Sequence, residues 1–141
     1  MFIDTSSLFP FYILEDKSEE VEQLITEASI IRISTLTEVE IISSLKKRER
    51  MNQITAADVK KTYLLFKEHV SLGLFDVLNV EPSFFRTAER FIEKTSTPLR
   101  TLDAIHLATV YEYRTKLLTF DKALKQAADE FEIETVSYES G

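Results

Sequence analysis

The sequence predicts an α/β domain with a mainly parallel central sheet flanked by helices on both faces. Two observations predict it. Short apolar runs such as Met1-Phe2-Ile3 and Ile30-Ile31-Arg32-Ile33 alternate with longer stretches of helical period, the pattern of a sheet whose crossovers are helices. Two glycines and three prolines in 141 residues, 44% of them hydrophobic and 29% charged, leave no composition shift or linker to divide the chain, so residues 1–141 read as one domain. A chain of this length removes roughly two-thirds of its unfolded surface from water and can hold a core unaided.

The elements follow in order. Phe2-Ile3 is a short buried strand stopping at Asp4, and Thr5-Ser6-Ser7 supplies capping chemistry for a helix. Ser18 opens a helix with Glu19 and Glu20 in its first turn, ending near Ala28, and Ile30 to Ile33 is the second strand. From about Thr37 a helix runs to Arg50 on one of two apolar stripes, Val39-Ile42-Leu45 or Ile41-Leu45. Thr55-Ala56-Ala57-Asp58 starts a long antiparallel partner carrying Val59, Tyr63, Phe66 and Val70, with Gly73 as its stop. Leu74 to Val80 is a strand, and Glu81-Pro82 opens a helix carrying Phe84, Phe85, Ala88, Phe91 and Ile92. After a break at Thr95 to Pro98, a helix capped by Thr97 or Thr101 carries Leu102, Ile105, Ala108 and Thr109. Strand 116–120, helix 122–130 and strand 133–136 finish the chain.

Composition excludes several chemistries. Without cysteine there is no disulfide, thiolate zinc site, iron-sulfur cluster or cysteine nucleophile. Gly73 and Gly141 lie in no strand-to-helix turn, so neither the dinucleotide fingerprint nor the P-loop is present. No charged-then-apolar leader and no apolar run of spanning length occurs, so the expectation is a soluble cytoplasmic protein with no membrane contact. Net charge is −7, yet residues 41–70 hold seven cations (Lys46, Lys47, Arg48, Arg50, Lys60, Lys61, Lys67) against three acids, a local balance of +4. That face suits a phosphate backbone or is a solvated helical surface.

The remaining chemistry rests on acids. In an open parallel sheet, ligands bind beyond the carboxyl ends of the strands. Asp4 ends the first strand, Asp121 follows Leu117-Leu118-Thr119-Phe120, and Asp103 opens an apolar helix. Each alone is explained by capping or by the helix dipole. Together with one of Glu38 and Glu40, which point to different sides of their helix, they form an oxygen-donor set suited to a hard divalent cation.

Phe2-Ile3-Asp4-Thr5-Ser6, Ile33-Ser34-Thr35-Leu36-Thr37-Glu38-Val39-Glu40, Leu99 to Thr109 around Asp103, and Leu118-Thr119-Phe120-Asp121 occur in an order that resembles the PIN domain family, most closely its VapC-type toxins. The resemblance spans nearly the whole chain and is most specific around Asp103. It implies a three-layer fold and a Mg2+-dependent endoribonuclease, with Mn2+ as the alternative ion, leaving 5′-phosphate and 3′-hydroxyl ends. It further implies a homodimer neutralised by a cognate antitoxin, with RNA as substrate. Carried over by position, the catalytic and metal-binding residues are Asp4, Glu40, Asp103 and Asp121. The family's second acid lies six residues after the serine ending the second strand, which selects Glu40 and leaves Glu38 a bystander. Asp4 and Asp103 are the direct ligands, Asp121 and Glu40 acting directly or through water, while Thr5, Ser6 and Thr119 orient carboxylates or water. Lys46, Lys47, Arg48 and Arg50 are the candidate RNA-binding cations.

His106, three residues after Asp103, is read as a packed histidine with one hydrogen bond rather than a general base, and His69 as a surface residue. Phe84, Phe85 and Phe91 are core, whereas Phe9, Phe11 and Tyr12 are expected to be partly exposed at a dimer or antitoxin contact. Two other readings are a PIN nuclease of RNA processing without an antitoxin, and a non-catalytic module that merely holds metal. A haloacid-dehalogenase-type phosphatase needs a second aspartate where Ser6 stands.

Overall fold

The structure, a computed structural model, describes residues 1–136. Strands β1 (Phe2–Ile3), β2 (Arg32–Ser34), β3 (Asp76–Leu78) and β4 (Leu117–Leu118) form one sheet in the order β3-β2-β1-β4, every pairing parallel. Helices α1 (Thr5–Leu8), α2 (Ser18–Glu27), α3 (Thr35–Arg50), α4 (Ala56–Ser71), α5 (Pro82–Lys94), α6 (Thr101–Tyr113) and α7 (Lys122–Glu130) flank it, with a 3₁₀ turn at Phe9–Phe11.

Successive strand residues face opposite sides of a sheet, and the core divides accordingly. Phe2 and Leu117 pack with Phe84, Phe91, Leu107 and Leu124 of α5, α6 and α7. Ile3, Ile33 and Leu118 pack with Leu8, Val21, Ile41 and Phe66 of α1 to α4. This is the three-layer arrangement expected. From β1 the chain builds β2 and β3 on one side and returns to place β4 on the other, so the order reverses beside β1. The crevice past the carboxyl end of β1 is where such a sheet binds ligands.

Of the two stripes open for α3, the buried one is Thr37, Ile41 and Leu45, while Val39 is 63% exposed. Glu38 at the start of α3 meets Lys67 near the end of α4, so these helices run antiparallel. Gly73 ends the second of them at φ 78°, a left-handed conformation that glycine adopts without cost.

Several local expectations are corrected. The strand at 133–136 is reduced to one parallel bridge between Thr135 and Leu117, because β4 itself is only two residues long and offers little edge to pair with. Helix α3 begins at Thr35, since the Ser34 N–H donates to Thr37 Oγ1 at 3.0 Å and draws the start back. Arg100, not a threonine, precedes α6. Phe9 is buried, with the Arg48 guanidinium 4.5 Å above its ring. His69 is half-buried, its Nδ1 2.7 Å from the Tyr12 hydroxyl. Among the described residues, no helix is long and apolar enough to cross a membrane.

Candidate active site

Parallel strands deliver their carboxyl ends to one edge, and this edge collects acids from four elements. Asp4 leaves β1 as the residue before α1 and is 2% exposed. Its Oδ2 accepts from Ser6 Oγ at 2.6 Å, whereas Oδ1 is buried without a hydrogen-bond partner. Burial raises the Asp4 pKa above the ordinary carboxylate range, outweighing the hydrogen bonds from Ser6, Ser7 and Thr119 and the nearby His106. The carboxyl is thus held where its charged form lacks enough partners.

Asp103 stands in the first turn of α6 and is half-buried. Its pKa is also raised, first by burial and next by the charge of Asp121, with Asp4 and Glu40 adding to the effect and His106 opposing it. All three other acids therefore lie within electrostatic reach of Asp103. Asp121 precedes α7, where its Oδ1 accepts from the Ala123 and Leu124 amides at 2.9 and 3.1 Å, and its own amide donates to Thr119 Oγ1 at 3.0 Å. It is therefore a helix cap as well as a site acid.

Glu40, in the second turn of α3, is the most tightly held of the four. Its Oε1 accepts from Thr5 Oγ1 at 2.6 Å and from His106 Nε2. Burial would raise its pKa, but the hydrogen bond and charge of His106 and the Thr5 bond prevail and the net shift is downward. Glu38 faces the other way, ion-paired with Lys67 at 2.5 Å.

Two contacts escaped sequence reasoning. His106, 1% exposed, is the packed histidine with one hydrogen bond that the sequence predicts, but the identity of its partner, Glu40, was not legible. Ser7, 1% exposed, accepts from the Phe120 amide at 3.0 Å, tying α1 to the loop after β4. A three-residue spacing placed His106 near Asp103, but its partner lies 66 residues away on another helix. Nothing local marks Ser7.

The basic cluster sits apart, at the far end of α3. Lys46 pairs with Glu49 at 2.7 Å and Arg48 with Glu15. Lys47 and Arg50 are exposed. Glu15 lines a cleft of about 590 Å³ that also touches Ser6, Ser7, Phe120 and Asp121, so one depression links Asp121, alone of the four acids, to the wall braced by Arg48.

Among the described residues, no three acid or imidazole groups are close enough to share one ion as they stand. Their chemistry nevertheless fits a hard cation. The donors are carboxylate oxygens, their mutual repulsion calls for positive charge, and Asp4 Oδ1 is already stripped of water without any other partner.

Solved structures share the fold. VapC20 from Mycobacterium tuberculosis, described as a sarcin-ricin loop cleaving toxin, superposes with a TM-score of 0.71 at 14% identity, over 89% of this chain and 93% of that one. FitAcB from Neisseria gonorrhoeae gives 0.66 at 15% identity over 96% of each chain. VapBC2 from Rickettsia felis, bound to a DNA fragment from its promoter, gives 0.67 at 11% identity over 98% of each chain. A search of curated proteins finds no significant match. The PIN domain model matches residues 1–130, nearly the whole chain, and the protein therefore belongs to the PIN domain family.

Proposed function

We propose that this protein is a divalent-metal-dependent endoribonuclease of the toxin type, cutting RNA to leave 5′-phosphate and 3′-hydroxyl ends and neutralised by a cognate antitoxin. PIN domains are nucleases, and the structural neighbours are toxins and toxin-antitoxin complexes. The observation that carries the reading is the gathering of Asp4, Glu40, Asp103 and Asp121 from four elements at one sheet edge, with Asp4 Oδ1 buried and unpartnered.

Asp4 and Asp103 would hold the cation, magnesium or manganese, with Asp121 and Glu40 completing the set directly or through water. The chemistry such an ion supplies when bound is Lewis acidity toward the phosphoryl group and toward water. Ser6 orients the Asp4 carboxylate, Thr119 holds the Asp121 backbone, and Thr5 orients Glu40. The cleft beside Asp121 gives the RNA strand a place to lie, and Lys47 and Arg50 are cations free to meet phosphates, unlike Lys46 and Arg48. A homodimer is the proposed assembly.

The test is cleavage of a mixed structured-RNA pool by antitoxin-free protein with Mg2+, Mn2+ or EDTA, beside Asp103→Asn. Metal-dependent cuts bearing 5′-phosphates that vanish in the variant are expected. A folded protein that binds Mn2+ without cutting any RNA of the pool contradicts the nuclease and leaves a metal-holding module.

A further inference from the structure

We infer that His106 is a positioning residue that acts through Glu40: with Thr5 it pins one carboxylate oxygen, so that Glu40 works in the site with its other oxygen only. The inference deepens the nuclease reading and rests on it.

The geometry leaves His106 no other task. It is 1% exposed, and its Nε2 is engaged by Glu40 Oε1. Its Nδ1 is buried without a partner, and the ring packs on Phe2 with centroids 5.8 Å apart. Neither nitrogen has a route to a substrate or to bulk water, which excludes a general base that must touch the proton it removes. A carboxylate only accepts, so Nε2 must carry the hydrogen and donate it.

Thr5 Oγ1 donates to the same Glu40 oxygen at 2.6 Å and lies 3.5 Å from Nε2. Two donors from two elements thus converge on one oxygen of a residue carried by a third. The consequence is directional. A carboxylate held at one oxygen cannot rotate freely, and its second oxygen keeps a fixed bearing. Since Asp103 and His106 sit one turn apart on α6, one helix delivers one acid and the clamp on another, which sets the distance between them. Partners that orient ligands in this way typically change metal affinity or activity by about 10–100-fold when removed.

The test compares His106→Leu, which fills the space but removes the donor, with His106→Gln, whose side-chain amide nitrogen falls near the position of Nε2. Mn2+ affinity is measured by calorimetry, with kcat and KM on a cleaved RNA and a melting curve for each protein. His106→Leu should weaken Mn2+ binding about 10-fold and lower kcat at least about 10-fold, with KM for RNA within about twofold; His106→Gln should recover most of both. Thr5→Val, which removes the other donor, should shift Mn2+ affinity in the same direction and serves if the leucine variant fails to fold. A folded His106→Leu with wild-type Mn2+ affinity and turnover overturns the clamp, and so does a glutamine variant no better than leucine, since packing would then explain the loss. Wild-type protein that binds no Mn2+ and cuts no RNA overturns the parent reading instead.

Discussion

At the residue scale, the site is a set of carboxylates held in opposed states. Asp4 is pushed up by burial, so its folded pKa lies above the unfolded value near 3.8. The folded state then binds the proton more tightly, and stability falls as pH rises from that value through the folded one. Asp4→Asn removes the buried charge, so in metal-free protein it should raise the melting temperature at pH 7 by about 3–5 °C while abolishing cleavage. The stability gap should close toward pH 4, and a gap that persists there would point to packing rather than charge. Glu40 runs the other way: its lowered pKa contributes stability above about 4.5 that is lost as pH falls. Glu38→Ala breaks only a partly exposed pair with Lys67, and should cost under about 1 kcal/mol and leave cleavage intact. Glu40→Ala should remove activity in the same assay; equal damage from the two would reverse the choice between them. The two acids differ by two positions in sequence, and only the opposite directions of those positions on α3 separate them.

At the element scale, Asp4, Asp103 and Asp121 are delivered by a strand end or a helix start and Glu40 by the second turn of α3, and one of the four does structural work as well. Asp121 caps α7 through two amides, so Asp121→Ala should lose about 1 kcal/mol of stability together with cleavage, whereas Asp121→Asn keeps a capping oxygen and should lose cleavage with stability nearly unchanged. Denaturant melts beside RNA cleavage distinguish the two roles. The helical stripe was readable in α4, but in α5 only Phe84, Ala88 and Phe91 of the expected stripe are buried, while Phe85 and Ile92 are 48% and 41% exposed because the face that packs is narrower than the apolar pattern. The stripe was ambiguous in α3, where Val39 continues the apolar pattern on an exposed side. The strand at 133–136 looked real because its residues favour extended backbone, yet pairing requires a partner edge, and two-residue β4 supplies one bridge.

Across the whole molecule, charge is divided rather than balanced. On the proposed reading, a net charge of −7 and an acidic site repel RNA, so binding would rely on the exposed cations Lys47 and Arg50 at the end of α3 and on the metal. Lys47→Ala combined with Arg50→Ala should weaken RNA binding several-fold and flatten its dependence on salt by about 1–2 in the log-log slope; an unchanged slope in a titration removes this end of α3 from the binding surface. Lys46 and Arg48, equal candidates by sequence, are drawn into pairs with Glu49 and Glu15, and only folding decides that. The sequence by itself determined the alternation of strands and helices and set Asp4, Asp103 and Asp121 at element boundaries, because period and residue type are local properties; it left the buried face of α3 and the choice between Glu38 and Glu40 open. Tertiary structure alone decided that Oδ1 of Asp4 is buried without a partner, that Ser7 ties α1 to the loop after β4, and that His106 and Thr5 meet on Glu40. Those contacts join residues 35 to 113 positions apart, and no local pattern encodes which surfaces a parallel sheet will press together.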